Sequence, residues 1–211
     1  MDVDDVSGTG PTERQQDKAA LLAEAPGVTR LARVWCDEDP AWSLQLLQRA
    51  APTLERLGVG CALEAHLRAV LAMPRLRRLE VICDDGLVAQ PPELPALPPG
   101  HAGLQWLRVL YLPRATLQSL LRAHGGTLEE LELVVGTAGS DGWPHSCGDL
   151  HSLLQQSGLR ALKTLVLWRE SGCSHEPAAC WEQQVDVFRV LPGVKVLCDD
   201  CHTIEVYREE V

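Results

Sequence analysis

Residues 52–83, PTLERLGVGCALEAHLRAVLAMPRLRRLEVIC, contain the same phrase twice. Leu54, Leu57, Val59 and Cys61 are spaced Leu-x-x-Leu-x-Val-x-Cys, and Leu76, Leu79, Val81 and Cys83 repeat that spacing. Between the copies, Leu63, Leu67, Val70 and Leu71 recur at helical intervals. Apolar residues at period two, then at period 3.6, then again at period two read as strand, helix, strand. A unit repeating in this way buries its apolar faces only by stacking on its neighbours.

The strand phrase returns on both sides of this stretch. Its first leucine is Leu31, Leu54, Leu76, Leu104, Leu128 and Leu162, with Val194 a weaker seventh marker. Intervals run from 22 residues (Leu54 to Leu76) to 34 (Leu128 to Leu162), in or near the 20–29-residue range of leucine-rich repeats with insertions in the later ones. Alternation along each phrase puts Leu57, Leu79, Leu107, Leu131 and Leu165 on the core side. Amphipathic helices are expected over 41–51, 62–73, 115–123, 149–156 and 180–191, and the proline-rich segment 84–103 is expected to be an extended linker. The fold class is therefore α/β: a leucine-rich-repeat solenoid with a parallel concave sheet of about six strands and helices or extended linkers on the convex side. Residues 1–20 are expected to form a disordered acidic and polar tail, 21–200 the repeat domain and 201–211 a C-terminal tail.

Composition narrows the partners. Twenty-nine acidic against nineteen basic side chains give a formal charge of −10, which opposes phosphate binding, so no nucleic acid is expected. The acidic opening MDVDDVSGTG lacks the charge and apolar run of a signal peptide, and no stretch has the length of a membrane span. A monomer in the cytoplasm or nucleus follows, with its eight cysteines reduced. No phosphate loop, G-x-S-x-G or H-E-x-x-H is present, and His66, His124 and His151 fall on helices at expected solvated positions, so catalysis is not expected.

Two features suggest binding. Outward-facing strand positions hold Ile82, Leu110, Val134 and Trp168, widened by Trp106 and Val166 and flanked by Arg108 and Glu132, which predicts an apolar stripe with charged surroundings on a wet surface. This is the expected site for an unidentified protein partner. Two long loops, 136–148 and 169–179, follow consecutive strands and are expected on one edge, where recognition commonly resides.

The cysteines offer a second reading. Cys61 and Cys83 occupy equivalent strand positions and are expected to pack inward, with the register of Cys36 open. Near the C-terminus Cys173, His175 and Cys180 precede Cys198, Cys201 and His202; Cys173 and His175 are expected to approach the last three, and Cys173, His175, Cys198 and Cys201 form a set able to supply tetrahedral zinc ligands in a zinc-stabilised scaffold. One C-x-x-C pair is half of a metal signature, so the preferred expectation is reduced loop thiols and no cofactor. CDDCH also spells the haem-attachment string, which does not suit a chain without an export signal.

The phrases TLERLGVGC, RLRRLEVIC and TLEELELVV resemble the repeats of F-box and leucine-rich-repeat proteins of arthropod type, over about residues 21–200. The resemblance implies the substrate-capturing part of an F-box-type ubiquitin-ligase receptor. An F-box is not recognisable in the text before the first repeat, so a Skp1-type adaptor is not expected to bind the chain directly.

Overall fold

The computed structural model describes residues 2–3, 12, 14–83, 101–170 and 172–202. Two compact units divide them, the first reaching residue 104 and the second starting at Gln105. The first holds β1 (Asp2–Val3), α1 (Gln15–Glu24), β2 (Arg30–Trp35), α2 (Pro40–Ala50), β3 (Arg56–Gly60), α3 (Glu64–Leu71) and β4 (Arg78–Ile82). The second holds β5 (Trp106–Leu110), α4 (Arg114–His124), β6 (Glu130–Val134), α5 (Leu150–Gln156), β7 (Thr164–Trp168), α6 (Pro177–Val190) and β8 (Lys195–Cys198).

Within each unit every strand pairs in parallel with the next in sequence. Leu57 pairs with Leu79 in the first unit, and Leu107 with Leu131 and Leu131 with Leu165 in the second. All five leucines are at most 1 % exposed, so the alternation assigned the core face correctly. Each returning helix packs on its neighbour within a unit, α2 on α3, α4 on α5 and α5 on α6. The α/β class and repeating parallel strands thus agree with the sequence. Seven strands of four to six residues, plus the two-residue β1, replace the expected six or so among the described residues.

Several local expectations change. Helix α1 starts at Gln15, inside the stretch read as a tail, because Lys18 is 5 % exposed and donates to Asp39 at 2.8 Å. Strand β2 carries one extra residue: Leu31 pairs with Leu57 but Val34 with Val59, and Arg33 takes a positive φ of 55° in the bulge. The bulge settles the open register, since Trp35 pairs with Gly60 and the amide of Cys36 donates to Gly60 O, bringing Cys36 level with Cys61. Cys61 and Cys83 are buried as expected and Cys36 is buried with them, its thiol pushed up to about 12 by burial.

Helix α6 begins at Pro177 rather than Cys180. The Glu176 carboxylate caps it by accepting from the Ala179 amide, and a proline at the first helical position sacrifices no hydrogen bond. His66 and His124 are not solvated but 1 % and 5 % exposed. The His66 ring is buried between α2 and α3, with Nε2 3.0 Å from Ser43 Oγ. The linker segment 84–100 and residues 203–211 lie outside the described residues. No described helix is long and apolar enough to cross a membrane.

Candidate functional site

The outward face of the second unit differs from the wet apolar stripe expected of it. Leu110 is 8 % exposed, Val134 2 %, Val166 8 % and Trp106 7 %, while Trp168, Arg108 and Glu132 are half-buried. Register places Arg108 beside Glu132 and Glu132 beside Val166. The Glu132 carboxylate accepts the indole N–H of Trp106 at 3.1 Å and that of Trp168 at 2.9 Å, and Arg108 Nε lies 3.7 Å from it. The Arg108 guanidinium stands 5.2 Å from the centroid of the Trp168 ring. One carboxylate thereby gathers two indoles across the strands, on the face that also carries Val166. In the first unit Ile82 is half-buried and pairs with Gly60, over which the Trp35 ring lies. Of the expected stripe in the second unit, Trp168 with Glu132 and Arg108 keeps the most accessible surface.

At the C-terminal ends of β5 to β7 the two long loops meet, as their common edge predicted. The amide of Thr137 donates to Ser174 O at 2.7 Å and that of Ser174 to His145 O at 2.8 Å. Trp143 Nε1 donates to Leu112 O at 2.8 Å, and Tyr111 Oη to Glu170 Oε2 at 2.8 Å. The fit at Gly136 is tight, since a Cβ there would lie 1.7 Å from His145 O. These loops are tied into one folded layer at this edge.

The Cys/His residues converge next to this layer. His175, Cys180, Cys198 and Cys201 place their ligand atoms within 4.8 Å of one another. Three of the four expected ligands are in the group; Cys173 is replaced by Cys180, which is fully buried. Cys180 arrives there because α6 starts early, putting it at the end of the helix's first turn facing β8 rather than at the helix start. Cys173 turns back on Glu170, its amide donating to Glu170 O at 2.9 Å, and burial raises its thiol. The sequence signal for Cys180 was its position five residues after His175, a spacing that spans one turn of helix only once the Glu176 cap is known.

Within the cluster, His175 Nε2 is 3.3 Å from Cys201 Sγ and 3.7 Å from Cys198 Sγ, and Cys201 Sγ is 3.9 Å from Cys180 Sγ. Burial pushes the Cys180 thiol up, but hydrogen bonds from Gln184, Arg169 and His175 and the Arg169 charge outweigh it and bring it to about 7. Cys201 is pushed up to about 12 by desolvation and by the neighbouring Cys180 and Cys198 sulfurs. Arg169, 7 % exposed, joins this cluster to the loop layer. Its guanidinium donates to Cys180 Sγ at 3.5 Å, to Gln183 Oε1 at 2.7 Å and to Val135 O. Gln183 then donates to Gly136 O at 3.0 Å and Cys147 O at 2.7 Å.

Compared with protein-family models, with curated proteins and with solved structures, the chain matches none. Any functional conclusion therefore comes from these side chains.

Proposed function

We propose that this chain is a leucine-rich-repeat solenoid that binds a protein partner, with Trp168 at the centre of the contact. The observation that carries the reading is the way Trp168 is held. Its indole N–H is fixed by Glu132 at 2.9 Å and its ring is flanked by Arg108 at 5.2 Å, yet the side chain keeps part of its surface accessible. Fixing a free side chain on association costs about 0.5–1.5 kcal/mol, and here Glu132 and Arg108 have fixed it beforehand. Trp and Arg are the residue types that most often dominate protein interfaces, especially when rigid and ringed by polar groups.

The role that fits the F-box-type resemblance is capture of a substrate or adaptor protein by the repeat face, without direct docking to a Skp1-type adaptor. Affinity capture followed by mass spectrometry would supply the partner, and titration of that purified partner tests the site. Trp168→Ala is expected to weaken binding by about 2 kcal/mol, roughly thirtyfold, with the fold intact. Unchanged affinity in both Trp168→Ala and Arg108→Ala would reject this face as the contact. Direct stoichiometric binding of a Skp1-type adaptor would reject the expectation that the chain does not dock there directly.

A further inference from the structure

We infer that His175, Cys180, Cys198 and Cys201 bind one zinc ion in a closed, structural site. This goes beyond the protein-binding reading and does not depend on it. The first argument is metric. Zinc with Zn–S of about 2.3 Å and Zn–N of about 2.05 Å in tetrahedral geometry requires its ligand atoms to stand about 3.8 Å apart for sulfur–sulfur and about 3.6 Å for sulfur–nitrogen. Three of the six separations are 3.9 Å for Cys180–Cys201, and 3.3 Å and 3.7 Å from His175 Nε2 to Cys201 and Cys198, and all six lie within 4.8 Å. These atoms come from separate places: the turn before α6, its first turn, the end of β8 and the turn beyond. A disulfide between Cys180 and Cys201 would use two of the four groups and leave the approach of His175 and Cys198 without a cause.

The surroundings supply the second argument. His175 presents Nε2 to the sulfurs and Nδ1 toward Asp200, whose Oδ2 lies 3.3 Å away, so the negative carboxylate favours a hydrogen on Nδ1 and an Nε2 lone pair directed at a metal. The C-x-x-C segment is closed into a turn by the His202 amide donating to Cys198 O at 2.9 Å, which keeps Cys198 and Cys201 on one side. Charge balance is the third argument. Three thiolates around a divalent ion leave the centre at −1. The buried guanidinium of Arg169, which makes no carboxylate ion pair among the described residues, donates to Cys180 Sγ at 3.5 Å and offsets that charge.

Three sulfurs and one imidazole select zinc over magnesium or calcium, which prefer oxygen ligands. Four protein ligands leave no open position for a substrate, so the site ties α6 to β8 rather than performing chemistry. The test uses the full chain, reduced, stripped with a chelator and titrated with cobalt(II). We expect thiolate-to-cobalt charge-transfer absorption and the visible bands of tetrahedral cobalt, saturating at one ion per chain and bleached by one equivalent of zinc. Cys173→Ser should titrate as the parent does. Cys201→Ser and His175→Asn alter more exposed side chains than the fully buried Cys180, so their folding can be verified. Changes around zinc ligands alone cost about 10–100-fold in affinity, and loss of a ligand should cost at least that. Absence of the charge-transfer band, a Cys180–Cys201 disulfide in the freshly purified protein, or folded Cys201→Ser binding cobalt as tightly as the parent would overturn the inference.

Discussion

Nδ1 of His175 lies 3.3 Å from Oδ2 of Asp200, while Nε2 of the same ring faces the sulfurs of Cys198 and Cys201. The carboxylate's charge thus favours a hydrogen on Nδ1, on the side of the ring away from the sulfurs. Asp200→Ala should leave the stoichiometry at one zinc per chain but lower affinity by about 10–100-fold, measured by competition with a chromophoric chelator. An unchanged affinity would reduce Asp200 to a surface carboxylate.

Zinc removal should reach further than the ligands. Arg169 and Gln183 connect Cys180 to Gly136 and Cys147, so the 136–148 layer rests on the same cluster. A ligand held at a hundredfold excess over its Kd stabilises the fold by about 2.7 kcal/mol. Chelation should lower Tm and speed hydrogen exchange at the amides of Gly136, Thr137 and Cys147, which donate to Pro144, Ser174 and Thr137. Faster exchange confined to residues 195–202 would show that the coupling stops at the metal.

Strand β7 allows its two faces to be compared at neighbouring positions. Leu165 is fully buried in register between Leu131 and Val196, so Leu165→Ala should cost about 2–5 kcal/mol through the cavity left behind. Trp168 is half-buried and anchored by Glu132, so Trp168→Ala should cost less, and its main effect should be on partner binding. Urea unfolding of the two variants decides this; equal destabilisation would mean that Trp168 is a core residue.

Leu57, Leu79, Leu107, Leu131 and Leu165 were legible because burial on one side of a strand leaves a period-two trace in the sequence itself. Exposure on the other side leaves no such trace. On that face the side chains are set by contacts far apart in sequence, as where Glu132 accepts from Trp106, 26 residues before it, and from Trp168, 36 residues after it. The bulge in β2 was legible only as an ambiguity at Cys36, since one extra residue shifts every later side chain. At the Cys/His cluster, Cys198 and Cys201 announced themselves by spacing. Cys180 was visible beside them but not as the ligand in place of Cys173, because its direction depends on where α6 begins, and Glu176 caps that start.

His66 gives a pH signature. The ring is 1 % exposed, Nε2 lies 3.1 Å from Pro40 O, and Nδ1 has no hydrogen-bond partner among the described residues. Burial lowers its pKa below the ordinary 6.5, outweighing the opposing hydrogen bond to Pro40. The unfolded chain therefore takes up the proton first, and the stability contributed by the neutral ring is present above pH 6.5 and lost as pH falls below it. His66→Gln should be less stable than the parent at pH 7.5 yet lose less between pH 7.5 and pH 5, by denaturant midpoints at the two values. Parallel losses would mean that the ring is already hydrated or charged in the folded protein.

Gly60 and Trp35 are paired across β2 and β3, and a Cβ placed on Gly60 would lie 2.3 Å from Cε3 of the Trp35 ring. The glycine is thus required by space, because an indole is rigid and cannot yield as a long flexible chain would. Gly60→Ala should force the ring out of its position or separate the strands, costing about 1–3 kcal/mol as overpacking does. The same substitution made in a Trp35→Ala background should cost little, since the obstructing ring is gone, and the two losses should be clearly less than additive. Denaturant unfolding of the parent, both single variants and the double variant measures this coupling. Additive losses would show that Gly60 is required for its backbone rather than for the room it leaves to Trp35.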